Sequence, residues 1–493
     1  MSSARLMALP LLAALIVAAP ARAYLPAPYG GQAVVPLPAA VVTIDPAAAT
    51  QPGELQVSTL VFDTLYTFGS RRWQLPHLAR LMPECNQAGT SCRIRLRADI
   101  KLHDGRILDA AAVAASLHRT KRGPHGYLLA NVTSIRAEGI DAIRLTLRHR
   151  ASDLAVLLST PATAIAVRRG SRLVGSGPFR VARRRPRHIE LVAHAECFAG
   201  RPRLDRLVFK AFKRSSTEVA SFHIGHLTLS RHGKSAFGGR PRYAAEEALT
   251  QPRTLVYLAV GKRPEYLRDP LVRRALLAAI DRKRLSKVAD TGPSRVAHGP
   301  VDRGILRYRR PRGARFSRGR ANRLLARAAK GSPELRAAAR SGRVQLSLLV
   351  DASRPDDKIA AGQLVADLDR IGIEARIETR DAASYRSRLA GGNYQLALAR
   401  LPLQLPDGSL GVAAAYAAAG DQAAAARCVL KGCGAREARA FSKALPLLPL
   451  VHAGTRFHYD ARLGPLAPDR SGRLPLADTY WRRRAANGGA AGN

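Results

Sequence analysis

Acidic residues are scarce in this chain of 493 residues, which has 36 Asp and Glu against 80 Lys and Arg and a formal net charge of +44. Carboxylates this sparse nominate no catalytic pair. The sequence also lacks a Gly-x-Ser-x-Gly elbow, a His-Glu-x-x-His helix and a Walker A loop. An enzyme is not expected, nor a cofactor. Aromatic residues make up only 5% of the chain. The arginines are scattered along strands, helices and loops without aromatic interleaving, a helix-turn-helix pattern or finger spacing. A pI near 11.4 would by itself favour phosphate backbones, but that scatter, with the export signal described below, argues against nucleic acid as a partner. Anionic envelope polymers and lipid head groups remain open. Beyond the N-terminus no segment approaches a membrane span.

Cysteine is also rare, with five in all. Cys85 and Cys92 flank a short loop, as do Cys428 and Cys433, and each pair could close its loop as a disulfide, leaving Cys197 free. Zinc ligation is the rival reading. Neither pair has a second Cys or His pair at finger spacing, so no metal site is expected there. His223, His226 and His232 lie close together and could suggest a metal, yet no carboxylate sits among them, and surface histidines on a basic loop are the simpler reading.

Residues 1–23 differ from the rest. Arg5 precedes the apolar run Leu6 to Ala19, and Ala21-Arg22-Ala23 supplies small residues for cleavage. The stretch reads as a cleaved signal peptide, with an uncleaved anchor as the lesser reading, and no Cys follows it to accept a lipid. The remaining length exceeds what one core supports, so two lobes are expected.

The most ordered signal runs from Cys92 to Arg119. Ile94 and Leu96 alternate with Arg93, Arg95 and Arg97 as in a strand with one apolar face. Asp104-Gly105 marks a turn, Asp109 an N-cap, and Val113 and Leu117 share one face of the helix that follows. Further along, Gly175-Ser176-Gly177-Pro178-Phe179 permits close backbone approach at its glycines but lacks phosphate-loop spacing. Thr254 to Val260 is a continuous apolar strand, a first crossing between lobes. Asp269-Pro270 caps a helix with Val272, Ala275, Leu276 and Ala279 on its buried face, and Ala279-Ile280-Asp281-Arg282 ends it. Residues 344–400 alternate as β-α-β-α-β, which argues a mostly parallel sheet with right-handed crossovers. Ala-rich residues 412–427 read as one helix, and Leu445 to Val451 as the return crossing.

His103-Asp104-Gly105 with the helix reading Val113, Ala114, Ser116, Leu117 and Arg119, the Gly175 to Phe179 run, and the Ala279 to Arg282 segment before a Gly-Pro-rich loop occur in the order found in family 5 extracellular solute-binding proteins. The chain resembles these peptide- and nickel-binding components of ABC importers over nearly its whole length, although Ala111-Ala112 replace the usual acidic pair. The resemblance implies an α/β, two-lobed periplasmic-binding-protein type II fold, cluster C-like, with a small α+β subdomain in the first lobe. Residues 24–252 would form lobe I, with the subdomain at about 50–170. Residues 253–447 would form lobe II and 448–493 the return with a basic tail. It also implies a periplasmic, monomeric receptor that takes a peptide or other small solute to a permease in the inner membrane.

By that resemblance Tyr66, Phe68 and Asp407 are the candidates for the ligand cleft. Asp407 would hold a ligand's amino end, although it also reads as a turn residue before Gly408. Two alternatives stay open. One is a basic envelope-binding protein with a cleft that no longer transports; the other is a metal or metallophore receptor that depends on His223, His226 or His103.

Overall fold

A computed structural model describes residues 28–68, 74–150, 154–232, 234–237, 244–288, 292–302, 315–340, 342–403, 408–433, 435–464, 466–469 and 472–482. The expected signal peptide and Asp407 lie outside them. Among the described residues no helix is long and apolar enough to cross a membrane.

The strand, turn and helix read from residues 92–119 are present. Strand Ser91–Arg95 pairs with Ala142–Leu147, Gly105 takes φ +82°, and the Asp109 carboxylate accepts the Ala112 N–H at 2.7 Å to open helix Ala110–Arg122. Val113 and Leu117 are fully buried against Ile94, Ile143 and Leu145 in one apolar cluster. Four antiparallel strands and this helix make the small subdomain, in sheet order Glu84–Cys85, Ser91–Arg95, Ala142–Leu147, Val132–Glu138. The Cys85–Cys92 disulfide closes its outer hairpin.

Within the first lobe the Gly175 to Gly177 run passes closely over the end of helix Pro52–Val61. A Cβ on Gly175 would lie 1.9 Å from the Val61 carbonyl oxygen, and one on Gly177 would meet the same peptide at 2.7 Å, so only glycine lets these two chains touch. Beyond that contact lie a four-stranded sheet, with Gln32–Leu37 parallel to Arg206–Ala211, and a three-stranded sheet centred on Arg456–Asp460. Both share a core that contains Val35, Phe62, Phe179, Phe209 and Tyr459.

The second lobe is built on a six-stranded sheet in the order Ser294–Val296, Leu448–Ala453, Thr254–Val260, Leu396–Pro402, Val344–Asp351, Ile373–Arg380. The β-α-β-α-β reading holds for its last three strands, which are mutually parallel. The sheet as a whole is mixed, because Thr254–Val260 runs antiparallel to both Leu396–Pro402 and Leu448–Ala453. Strands that enter from the other lobe need not follow the direction set by local crossovers. Leu448–Ala453 belongs wholly to this sheet, so the chain passes back to lobe I at Gly454-Thr455, later than the apolar run alone suggests. Asp269 caps helix Pro270–Ala279 by accepting the Leu271 N–H at 2.8 Å, and that helix packs its apolar face on the sheet. The Ala-rich stretch is two helices, Gly408–Ala418 and Gln422–Lys431, because Gly420 at φ +82° ends the first and Asp421 caps the second. Cys428–Cys433 is a disulfide, so both cysteine pairs are bridged and neither offers thiolates to zinc. Cys197 is free and buried, and burial pushes its thiol up to about 11.

Candidate functional site

The lobes enclose a cavity of about 690 Å³, within the range of small-molecule sites. Its two walls differ in chemistry. Lobe I contributes the segment before helix Pro52–Val61, the Pro124 to Leu128 turn, and Pro161-Ala162. That wall is uncharged. His125 is its only titratable group besides Tyr127; burial pulls its imidazole below the ordinary histidine range, and neutral Nε2–H donates to the Ala49 carbonyl oxygen at 2.8 Å.

Lobe II contributes Lys262, Arg273, Arg386 and Arg400, together with Tyr257, Tyr394 and the ends of two helices at Gly391-Gly392 and Ala417 to Gly420. No Asp or Glu lines the cavity among the described residues. The strands position these cations simply. Lys262 follows the end of strand Thr254–Val260, Arg400 lies within Leu396–Pro402 beside it, and Arg273 and Arg386 come from helices Pro270–Ala279 and Ala382–Gly391.

Two of the four are compensated from behind. Arg386 reaches across the lobes to Glu54 at 2.6 Å and also donates to the Ala48 carbonyl. Glu54 is buried and accepts as well from the backbone of Thr50 and Gln51, so it caps its own helix and holds the opposite lobe. Arg400 donates to Asp357 at 2.9 and 2.7 Å, and Arg354 lies 3.4 Å from the same carboxylate. This pairing continues as a buried seam. Arg231 of lobe I bonds Glu218 at 2.8 Å and faces Asp356 of lobe II at 3.4 Å. Burial works against the Glu218 carboxylate, but Arg231 and His232 outweigh it and pull the carboxyl down to about 2.

Tyr66 and Phe68 are not among the lining residues. Tyr66 is fully buried in the subdomain core, its hydroxyl donating to the Leu81 carbonyl at 3.1 Å, and Phe68 pairs with Gln74 at the end of a short hairpin. The aromatic loop thus packs the subdomain and leaves the cavity to Tyr127, Tyr257 and Tyr394. Asp407 falls outside the described residues, five positions after Pro402, which ends strand Leu396–Pro402 at the cavity. Of the three neighbouring histidines, His232 is buried 3.6 Å from Glu218 rather than on the surface. His103 stacks edge-on against His194 with its Nε2 on the Gly177 carbonyl oxygen at 2.9 Å. No group of three ligating side chains that could hold a metal occurs among the described residues. The cations of lobe II went unread in the sequence because basic residues are so common here. The usable signal was positional, since Lys262 follows a predicted crossing strand and crossing points are where two-lobed folds place their clefts.

Residues 74–422 match the family described as bacterial extracellular solute-binding proteins, family 5 Middle. The chain belongs to that family. Among curated relatives, the oligopeptide-binding protein AppA of Bacillus subtilis is 23% identical over 233 residues, covering 43% of this chain and 43% of its own; the chain thus spans less than half the length of that relative. Among solved structures, the periplasmic binding protein DppA of Helicobacter pylori in complex with a peptide superposes with a TM-score of 0.77 at 17% identity, over 92% of this chain and 99% of that one. AppA bound to a nonapeptide superposes with a TM-score of 0.74 at 15% identity, over 93% and 100%. The two-lobed periplasmic-binding-protein fold of this family 5 member is therefore shared along nearly the whole chain.

Proposed function

We propose that this protein is the substrate-binding component of an ABC importer, capturing a peptide-like solute between its lobes and delivering it to a permease in the inner membrane. The cavity walled by both lobes carries this reading. A solute placed there touches lobe I and lobe II together, so it stabilises the closed arrangement over any in which the walls part, and closure on a ligand follows from that difference in affinity. The crossings, where the chain enters strand Thr254–Val260 and where it leaves at Gly454-Thr455, are the hinge segments in this mechanism. The three tyrosines give flat apolar surfaces with a hydroxyl for hydrogen bonding, suited to an extended backbone with varied side chains.

Residues 24–252 and 253–447 serve as lobe I and lobe II, and 448–493 as the return, whose first strand Leu448–Ala453 still completes the lobe II sheet, in a protein exported to the periplasm through its first 23 residues. Asp407 holds the ligand's amino end in this account, and Asp407→Ala weakens peptides with a free amine while sparing N-acetylated ones; unchanged affinity removes it from the site. Short peptides with free termini raise the melting temperature of the full chain, and Ala418→Trp, which fills the cavity from the end of helix Gly408–Ala418, abolishes the rise. A rise that survives in that variant places the ligand elsewhere.

A further inference from the structure

We infer that lobe II's wall selects solutes with excess negative charge, receiving a ligand carboxylate at the end of the cavity formed by Lys262, Arg273 and Tyr394. The inference rests on the receptor reading above and deepens it by naming the charge class of the solute.

A count of charges at the cavity leads to it. Four cations line the space and, among the described residues, no carboxylate does. Glu54 stands behind Arg386, and Asp357 behind Arg400, so those two are locally neutral. Farther back, Glu218 and Asp356 face Arg231, and Arg354 shares Asp357 with Arg400; the seam closes on itself and lends nothing to the cavity. Asp421, beside the lining residue Gly420, is engaged as a helix cap on Ala424 N–H at 2.9 Å, and Asp407, in the receptor reading, is taken by the ligand's amino end.

Lys262 and Arg273 are left over. Lys262 is exposed and has no carboxylate within ion-pair distance among the described residues. Arg273 is half-buried and donates Nε to the Leu267 carbonyl at 2.8 Å and Nη1 to the Leu445 carbonyl at 3.3 Å, so its orientation is fixed by backbone. Carbonyl oxygens satisfy its hydrogen bonds without cancelling its charge, and its Nη2 has no partner among the described residues. Two cations that face a partly enclosed space without counter-charge repel a third and attract an anion, more strongly than at an open surface because less solvent screens them. A carboxylate suits these two groups chemically too, since a guanidinium and an ammonium each form charge-assisted hydrogen bonds with carboxylate oxygens. The uncharged opposite wall offers nothing that would favour a basic side chain.

The test uses the full chain and four-residue peptides with free termini whose two central residues are glutamate, alanine or lysine, titrated by calorimetry at low and at 0.5 M salt. The expected order is glutamate, then alanine, then lysine, with at least tenfold between the extremes and a gap that shrinks in salt. Lys262→Gln narrows the glutamate advantage severalfold, and Lys262→Arg restores it. Equal or tighter binding of the lysine peptide overturns the charge selection and leaves the receptor reading standing. Failure of all three peptides to bind overturns the receptor reading and the selection with it.

Discussion

The two walls of the cavity come from one chain and one composition, yet one carries no formal charge and the other carries four cations. Lobe I meets the ligand space with the turn before a helix, a Pro-Gly-rich bend and a 3-10 segment, where small and apolar residues let the backbone come close. Lobe II meets it with strands and with two helices, Pro270–Ala279 and Ala382–Gly391, from which long side chains reach inward. A strongly basic protein therefore does not distribute its charge evenly at its functional surface. Three of the four cations have a compensating carboxylate or a carbonyl array behind them, and among the described residues Lys262 has neither.

The largest break in this comparison comes from removing that compensation. Asp357→Asn leaves Arg400 and Arg354 facing each other in the buried seam, and urea unfolding should show a loss of about 3–5 kcal/mol. A truncation on the uncharged wall, such as Gln51→Ala, strands no buried charge and should cost far less.

Acid should loosen both lobes. Burial lowers His103 of lobe I to about 4, and burial likewise lowers His452 of lobe II to about 4. Each group binds a proton near pH 6.5 when unfolded and only near pH 4 when folded. The stabilisation is thus fully present above about pH 6.5 and is lost as pH falls towards 4, up to roughly 3 kcal/mol per histidine. Thermal unfolding across that window should show the fall, and His452→Gln should flatten it in part.

A smaller effect is expected at the contact between the walls. Arg386→Gln removes the bond from lobe II to Glu54, at about 1.5–3 kcal/mol for a charge-assisted contact. Because Glu54 keeps its bonds to Thr50 and Gln51, lobe I should stay folded. The expected outcome is a larger radius of gyration in solution scattering for the ligand-free variant, with little change in the denaturant midpoint of lobe I.

Local patterns carried most of the fold. Asp109, Asp269, Gly105 and the Val113 and Leu117 spacing act through contacts a few residues away, and all appear in the structure as read. Residues whose roles depend on distant partners were harder to see. By resemblance Tyr66 is expected at the ligand cleft, but its hydroxyl finds the Leu81 carbonyl and the ring fills a core. His232 reads as a surface residue until Glu218 and Arg231 are folded against it. The split of the Ala-rich stretch at Gly420 was legible in principle, since glycine followed by a capping aspartate is a helix end and a helix start. The cationic wall was not, because it is assembled from four segments between residues 262 and 400.

Native mass spectrometry of the protein purified from an exported preparation, without denaturation, tests the central claim most directly. The account predicts a bound mass that fragments as a short peptide-like, acidic solute and that is lost in Ala418→Trp. A bare protein that also gains no thermal stability from peptide mixtures would contradict it.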